Sequence, residues 1–258
     1  MNQFTRAIVR PPASNFADGL TTATEGAPNI ALALAQHASY SSALQQCGLT
    51  LTTLLADLAY PDSTFVEDTA ILTPHAAILC YPGATSRVGE VAAIRPTIEK
   101  FYSSIFTIDP PGTLDGGDIC EAGTHFFLGH SQRTNEQGCR QLAAHLARQG
   151  YTSSVIDVRS VTTILHLKSG IACIGDRTLV IIDQLASHPE FRDYDLVRVR
   201  PEEAYAANCV RVNDRVLIPA GYPHLTNELH NRGFRPLPLD VSEFRKMDGG
   251  LSCLSLRF

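Results

Sequence analysis

The sequence has no tryptophan, only two methionines, and no apolar run near the ~20 residues needed to cross a bilayer. It also lacks any block of like charge. Its 21 basic and 26 acidic side chains are spread along 258 residues, for a net charge of −5. Nucleic-acid binders carry a basic patch or stripe, so that class of partner is disfavoured, and so is a membrane. No secretory leader is expected, because Met1–Arg6 runs straight into Ala7-Ile8-Val9 without a long apolar stretch. Seven cysteines (47, 80, 120, 139, 173, 209 and 253) form no Cys-x-x-Cys pair and no secreted framework. An odd, scattered set suits a reducing compartment and predicts neither disulfides nor structural zinc. The expectation is a cytoplasmic protein without metal or cofactor.

What is present is an ordinary globular composition: 44% hydrophobic residues, 18 glycines and 15 prolines. The length suffices for a core of its own, and a single domain over residues 1–258 is expected. Within it a pattern recurs. Residues 69–82 read as a β-hairpin around Pro74-His75, followed by a helix near 88–101 and a strand at Ile105–Ile108. Pro96 should kink that helix or end its first half. Residues 117–129 form a second hairpin. A helix over 135–149 follows, with Cys139, Leu142, Ala143, Leu146 and Ala147 on one face, then a strand at Ser154–Val158. Thr134 and Gln137 have capping-box spacing at its start.

Third and fourth copies open at 163 and 208, with helices near 187–193 and 224–232 and returning strands Leu196–Val199 and Leu237–Leu239. A fifth copy needs both chain ends: Ser252–Phe258, Arg6–Arg10, a helix near 30–47 and the strand Leu49–Leu54. First hairpin strands thus begin near 69, 117, 163, 208 and 252. The spacing predicts a closed ring of five ββαβ modules, each burying apolar faces on its neighbours. A generic α+β sandwich with accidental spacing is the alternative.

In such a ring, equivalent positions meet near the axis. Those positions are Glu67-Asp68, Asp115-Gly116-Gly117-Asp118, His166, Asn208-Cys209 and Ser252-Cys253. Singly, each has a dull reading: a lone cysteine or histidine is usually core, and Asp with Gly is usually turn. Together, thiol, imidazole and carboxylates point to nucleophilic catalysis. Carboxylates beside a thiolate raise its pKa, which is useful only if the substrate is a cation. A guanidinium meets that condition, being planar, permanently charged and able to take two carboxylates.

At this point the motifs YPDSTFVED (60–68), PGTLDGGD (111–118), GHSQRTNEQG (129–138), LHLKSG (165–170), AANC (206–209) and KMDGGLSCLS (246–255) carry a resemblance. They are similar to the dimethylarginine dimethylaminohydrolases of the pentein, or guanidine-modifying, superfamily. The resemblance implies a five-bladed α/β propeller with pseudo-fivefold symmetry, closed by both termini. It implies hydrolysis of Nω-methylated arginine to citrulline and an amine through a covalent thiouronium on Cys253. His166 would move protons and Asp115 would be the third catalytic residue. Asp68 would hold the guanidinium, with Glu67 and Asp62 assisting, and Ser252 would also bind substrate. Arg87 and Arg133 would grip the α-carboxylate, and the backbones of Leu20 and Met247 would face the α-amino end.

Residues 14–29 are the candidate lid. The only partner implied is a small molecule, and a homodimer is allowed. Two departures stand out: bacterial members carry Glu at the position of Asp115, and a β-branched residue is common at that of Met247. Arginine deiminases share the core but carry a helical insertion that this chain has no room for. Agmatine deiminases would have no use for Arg87 and Arg133. The ribosomal anti-association factor shares the fold but lacks the Cys/His pair.

Overall fold

The computed structural model describes residues 3–258. In chain order it contains β1 (Arg6–Val9), α1 (Ile30–Gln46), β2 (Thr50–Thr53), β3 (Ala70–Leu72), β4 (Ala77–Leu79), α2 (Val88–Ile98) and β5 (Ile105–Thr107). Next come β6 (Ile119–Ala122), β7 (His125–His130), α3 (Glu136–Ala147), β8 (Thr152–Asp157), β9 (Ile171–Cys173), β10 (Thr178–Ile182), α4 (Asp183–Ala186) and β11 (Asp195–Val199). The chain finishes with β12 (Val210–Val212), β13 (Arg215–Pro219), α5 (Pro223–Asn231), β14 (Pro236–Leu239), α6 (Ser242–Arg245) and β15 (Leu256–Arg257).

The strands form five separate three-stranded sheets, ordered β15-β1-β2, β3-β4-β5, β6-β7-β8, β9-β10-β11 and β12-β13-β14. Each pairs its first two strands antiparallel and its last two in parallel across a helical connection. The sheet joining the chain ends is the predicted one, with Ala7 opposite Arg257 and Leu51. Apolar faces are buried between modules: Phe127 of β7 meets Phe191, from the connection after α4, edge-on at 4.9 Å between ring centroids. No described helix is long and apolar enough to cross a membrane.

Five local expectations are corrected, among them the helix near 187–193, where α4 ends at Ala186 and only a 3-10 turn, Pro189–Phe191, follows. α2 runs through Pro96 to Ile98, because a proline in the last turn forfeits only the bond its N–H would make one turn back. α3 is capped by Asn135, whose side chain accepts the Gly138 N–H at 2.8 Å. Thr134 is unavailable as a cap, since its hydroxyl accepts the Asp115 N–H. The first strand of the third module starts at Ile171, and Ala147 is exposed at the end of α3.

Before each first hairpin strand lies a 3-10 turn: Val66–Thr69, Gly116–Asp118, Leu167–Ser169, Pro201–Ala207 and Ser252–Leu254. The Val66 turn packs on the Ser252 and Gly116 turns, the Gly116 turn on the Leu167 turn, and the Leu167 turn on the Pro201 turn. Asn208 closes the circle, donating to Ser252 Oγ at 3.1 Å and accepting the Ser252 N–H at 2.9 Å. Such close approach of backbones demands glycine: a Cβ on Gly116 would overlap the Glu67 carbonyl oxygen.

Candidate active site

The ring of turns brings together residues far apart in sequence. Cys253, His166, Asp68 and Arg133 line one small cavity, joined there by Asp62, Arg87, Leu20 and Met247. Six cysteines are buried, as packing residues should be, and Cys253 is partly exposed. The Asp248-Gly249-Gly250 bend before it presents the thiol. Asp248 adopts φ +56°, a left-handed conformation that aspartate tolerates better than most residues.

Asp115 sits behind the imidazole, fully buried. Its Oδ2 is 3.0 Å from His166 Nε2, and its Oδ1 accepts the Gly83 N–H at 2.8 Å. The shorter acid therefore does reach the histidine. Burial alone would lower the His166 pKa, but the carboxylates of Asp68, Asp118 and Asp115 outweigh it and raise it to about 9. Burial pushes the Cys253 thiol up to about 12, reinforced by the charges of Glu67 and Asp68. Burial also opposes ionisation of Asp68, yet Arg87 and His166 beside it hold its carboxyl down at about 2. Without a ligand, the site thus pairs a neutral thiol with an imidazolium.

Arg87 is not a free cation. Its Nη1 donates to Asp68 Oδ2 at 2.6 Å, its Nε and Nη2 to Glu90 at 2.9 and 2.8 Å, and its Nη2 also to the Phe65 carbonyl at 3.1 Å. That leaves a single N–H, on Nη1, for anything in the cavity. Arg133 differs: among the described residues its guanidinium has no hydrogen-bond or ion-pair partner. Glu67 faces elsewhere, and Ser252 does so in part, its Oγ lying 3.8 Å from Cys253 Sγ. Both line a second cavity, where Glu67 Oε1 pairs with Lys168 at 2.6 Å and Arg257 at 3.2 Å.

Asp62 accepts the Leu20 N–H on both oxygens at 3.1 Å, so it fixes the loop over the cavity. The same loop is tied by Thr21 Oγ1 to the Lys246 carbonyl, by Thr22 to Asp248 and by Glu25 to Arg245. A larger cavity of about 730 Å³ adjoins the site through Leu165, Asp248 and Gly249; Asn208 and Thr22 to Glu25 of the candidate lid line it, but none of the residues expected to bind substrate or do chemistry does. Asp68, Asp115 and His166 also bring ligand atoms within 4.8 Å of one another, the one such group among the described residues. Their charge is already met by the Arg87 guanidinium and the imidazole itself.

Sequence reasoning missed Glu90, which anchors Arg87; it placed Asn208 near the axis without the part it plays, which is to clamp the nucleophile's turn. Glu90 stands three residues after Arg87 on one helical face, a readable signal. Gly117, also near the axis, has a role that its place in a turn does not reveal. A Cβ there would lie 2.7 Å from His166 Nδ1 and 3.0 Å from Asp68 Oδ1. Gly117→Ala is therefore expected to displace the imidazole and lower turnover at least about 10-fold, while the cost in fold stability stays near the ~1–3 kcal/mol of overpacking. Steady-state kinetics beside a melting curve checks this.

No family model matches the chain. Individual relatives do. Over 256 residues it is 44% identical to the N(G),N(G)-dimethylarginine dimethylaminohydrolase of Pseudomonas aeruginosa, covering 99% of this chain and 100% of that protein. The chain belongs to the dimethylarginine dimethylaminohydrolase family. The family member from Streptomyces coelicolor is 34% identical over 259 residues, covering 98% of this chain and 96% of its own. A solved structure of the Pseudomonas aeruginosa dimethylarginine dimethylaminohydrolase, a cysteine-to-serine mutant with citrulline, superposes with a TM-score of 0.97 at 43% identity over the whole of both chains. The N-terminal domain of the cyanobacterial arginine dihydrolase ArgZ, at 17% identity and a TM-score of 0.89, shares the fold alone; it covers 99% of this chain and 97% of its own.

Proposed function

We propose that this chain hydrolyses Nω-methylated L-arginine to L-citrulline, releasing dimethylamine or methylamine, as a single catalytic domain over residues 1–258. The observation that carries this reading is one cavity lined by a partly exposed thiol, an imidazole, a buried carboxylate and an arginine whose guanidinium is unpaired among the described residues. Family membership supports the same chemistry. The five sheets and their ring of turns support a five-bladed α/β propeller with pseudo-fivefold symmetry, closed by both termini. Seven free thiols favour a reducing, cytoplasmic setting.

In this mechanism Asp68 takes the substrate guanidinium on the lone pairs left by Arg87 and the Gly117 N–H. The incoming cation offsets the acidic surroundings that hold the thiol neutral, so Cys253 loses its proton to water and attacks the guanidino carbon. His166, already protonated, gives its proton to the methylated nitrogen. The C–N bond breaks, and amine departs from a cationic thiouronium. The neutral imidazole then takes one proton from water, whose hydroxide adds to the same carbon; the C–S bond breaks, the adduct's hydroxyl proton passes to solvent, and citrulline and the thiolate are freed. Asp115 holds the imidazole throughout.

Arg133 suits the α-carboxylate better than Arg87, which has one N–H to offer. Arg133→Ala should raise KM roughly 10–100-fold with little change in kcat, the loss of one charge-assisted contact. A citrulline assay on asymmetric dimethylarginine, monomethylarginine, arginine and agmatine tests the whole reading. Methylated substrates should turn over fastest. Preference for plain arginine would make the chain a deiminase, and preference for agmatine would remove the role given to Arg133.

A further inference from the structure

We propose that Asp118 is a positioning residue whose single carboxylate ties the imidazole of His166 to the turn that carries Arg133. The inference rests on the function proposed above, in which those two side chains serve opposite ends of the bound amino acid. Asp118 has no exposed surface. Its Oδ1 accepts the N–H of Leu167, the residue after His166, at 2.9 Å. Its Oδ2 accepts the Ser131 hydroxyl at 2.6 Å.

That hydroxyl has one proton to give and two lone pairs to fill. The proton goes to Asp118, and the lone pairs accept the N–H groups of Arg133 at 2.9 Å and Thr134 at 3.1 Å. Its capacity is used up, so its direction is fixed. A second arm returns to the imidazole: Thr134 Oγ1 accepts the Asp115 N–H at 3.0 Å, and Asp115 Oδ2 faces His166 Nε2. Asp118 is thus connected to the histidine from both sides and to Arg133 through one hydroxyl. Gly129 leaves the space for this, since a Cβ there would sit 2.9 Å from Asp118 Oδ1.

A buried aspartate that only braces a turn would show up in stability alone. A positioning residue must also change the behaviour of the groups it holds. The imidazole is faced by the carboxylates of Asp68, Asp115 and Asp118, with Arg87, Arg133 and Cys253 on the same cavity. Removing the charge of Asp118 therefore alters the His166 titration, which NMR reads without any substrate.

The experiment compares wild type, Asp118→Asn and Ser131→Ala on asymmetric dimethylarginine, with the His166 titration followed in each. Asp118→Asn is expected to lower kcat and raise KM, each about 10-fold or more, and to move the titration to lower pH. Ser131→Ala should raise KM about 3–10-fold and lower kcat by less, because it cuts the arm to Arg133 and the Ser131–Thr134 bond but leaves the direct bond from Asp118 to the Leu167 N–H. Wild-type kinetics and titration in a folded Asp118→Asn would overturn the proposal. Should that variant not fold, an unchanged KM in Ser131→Ala overturns it instead. If wild type itself makes no citrulline, the functional reading fails. The NMR titration then still decides whether Asp118 governs the histidine.

Discussion

Cys253→Ser is expected to abolish citrulline formation, by at least about 10⁴-fold, while leaving the melting temperature within a degree or two. The physical case is asymmetric. A hydroxyl is scarcely smaller than a thiol, and the turn around it is held by the Cys253 N–H on Gly250 and by the Asn208–Ser252 clamp, none of which uses sulfur. Chemistry depends on the sulfur entirely. Already at about 12 in the acidic, buried site, the thiol becomes a nucleophile only when a bound cation favours its anion. An alcohol begins several units higher and has no base beside it, since His166 is already protonated. Mass spectrometry during turnover should find an adduct on wild-type Cys253 and none on the serine variant. Substantial activity in that variant would remove Cys253 from the mechanism.

His166→Ala is the other large effect. Turnover should fall roughly 10²–10⁴-fold, the usual worth of general acid–base catalysis, with substrate affinity largely kept because Asp68 and Arg133 remain. Near-normal kcat would assign proton transfer elsewhere. The same residue sets a pH dependence of stability. Its folded pKa of about 9 lies above the ordinary 6.5, so the native state binds the proton more tightly than the unfolded chain. The imidazolium's contribution is fully present below pH 6.5 and is lost as pH rises through about 9. Denaturant midpoints of wild type should fall across that window. In His166→Ala, which leaves Asp68, Asp115 and Asp118 without the imidazolium, the starting stability should be lower and that slope absent. A wild-type midpoint flat from pH 6.5 to 9 would contradict the proton assignment.

Much of this is legible in the sequence itself. The five-module count and the fifth sheet assembled from both chain ends follow from alternating and helical periodicities, which are local properties. The convergence of Glu67-Asp68, Asp115, His166 and Cys253 could be inferred as well, because equivalent positions in a closed ring must meet. The element edges that failed did so where a tertiary partner outbid a local preference. Thr134 looked like a helix cap until Asp115 claimed its hydroxyl, and residues 163–170 looked like strand until the ring required a turn there.

The sequence alone determined which residue types would gather at one end of five modules, since strand and helix periods specify which faces are apolar and where the chain must turn. Tertiary structure decided how those residues divide their bonds. Only the packed ring shows that Arg87 is consumed by Asp68 and Glu90, that Glu67 turns to Lys168 and Arg257, and that Arg133 is left unpaired among the described residues. The reason is that a charged side chain reaches several ångströms in any direction. Its partner is chosen by desolvation and distance among groups brought from different modules, and no spacing along the chain encodes that choice.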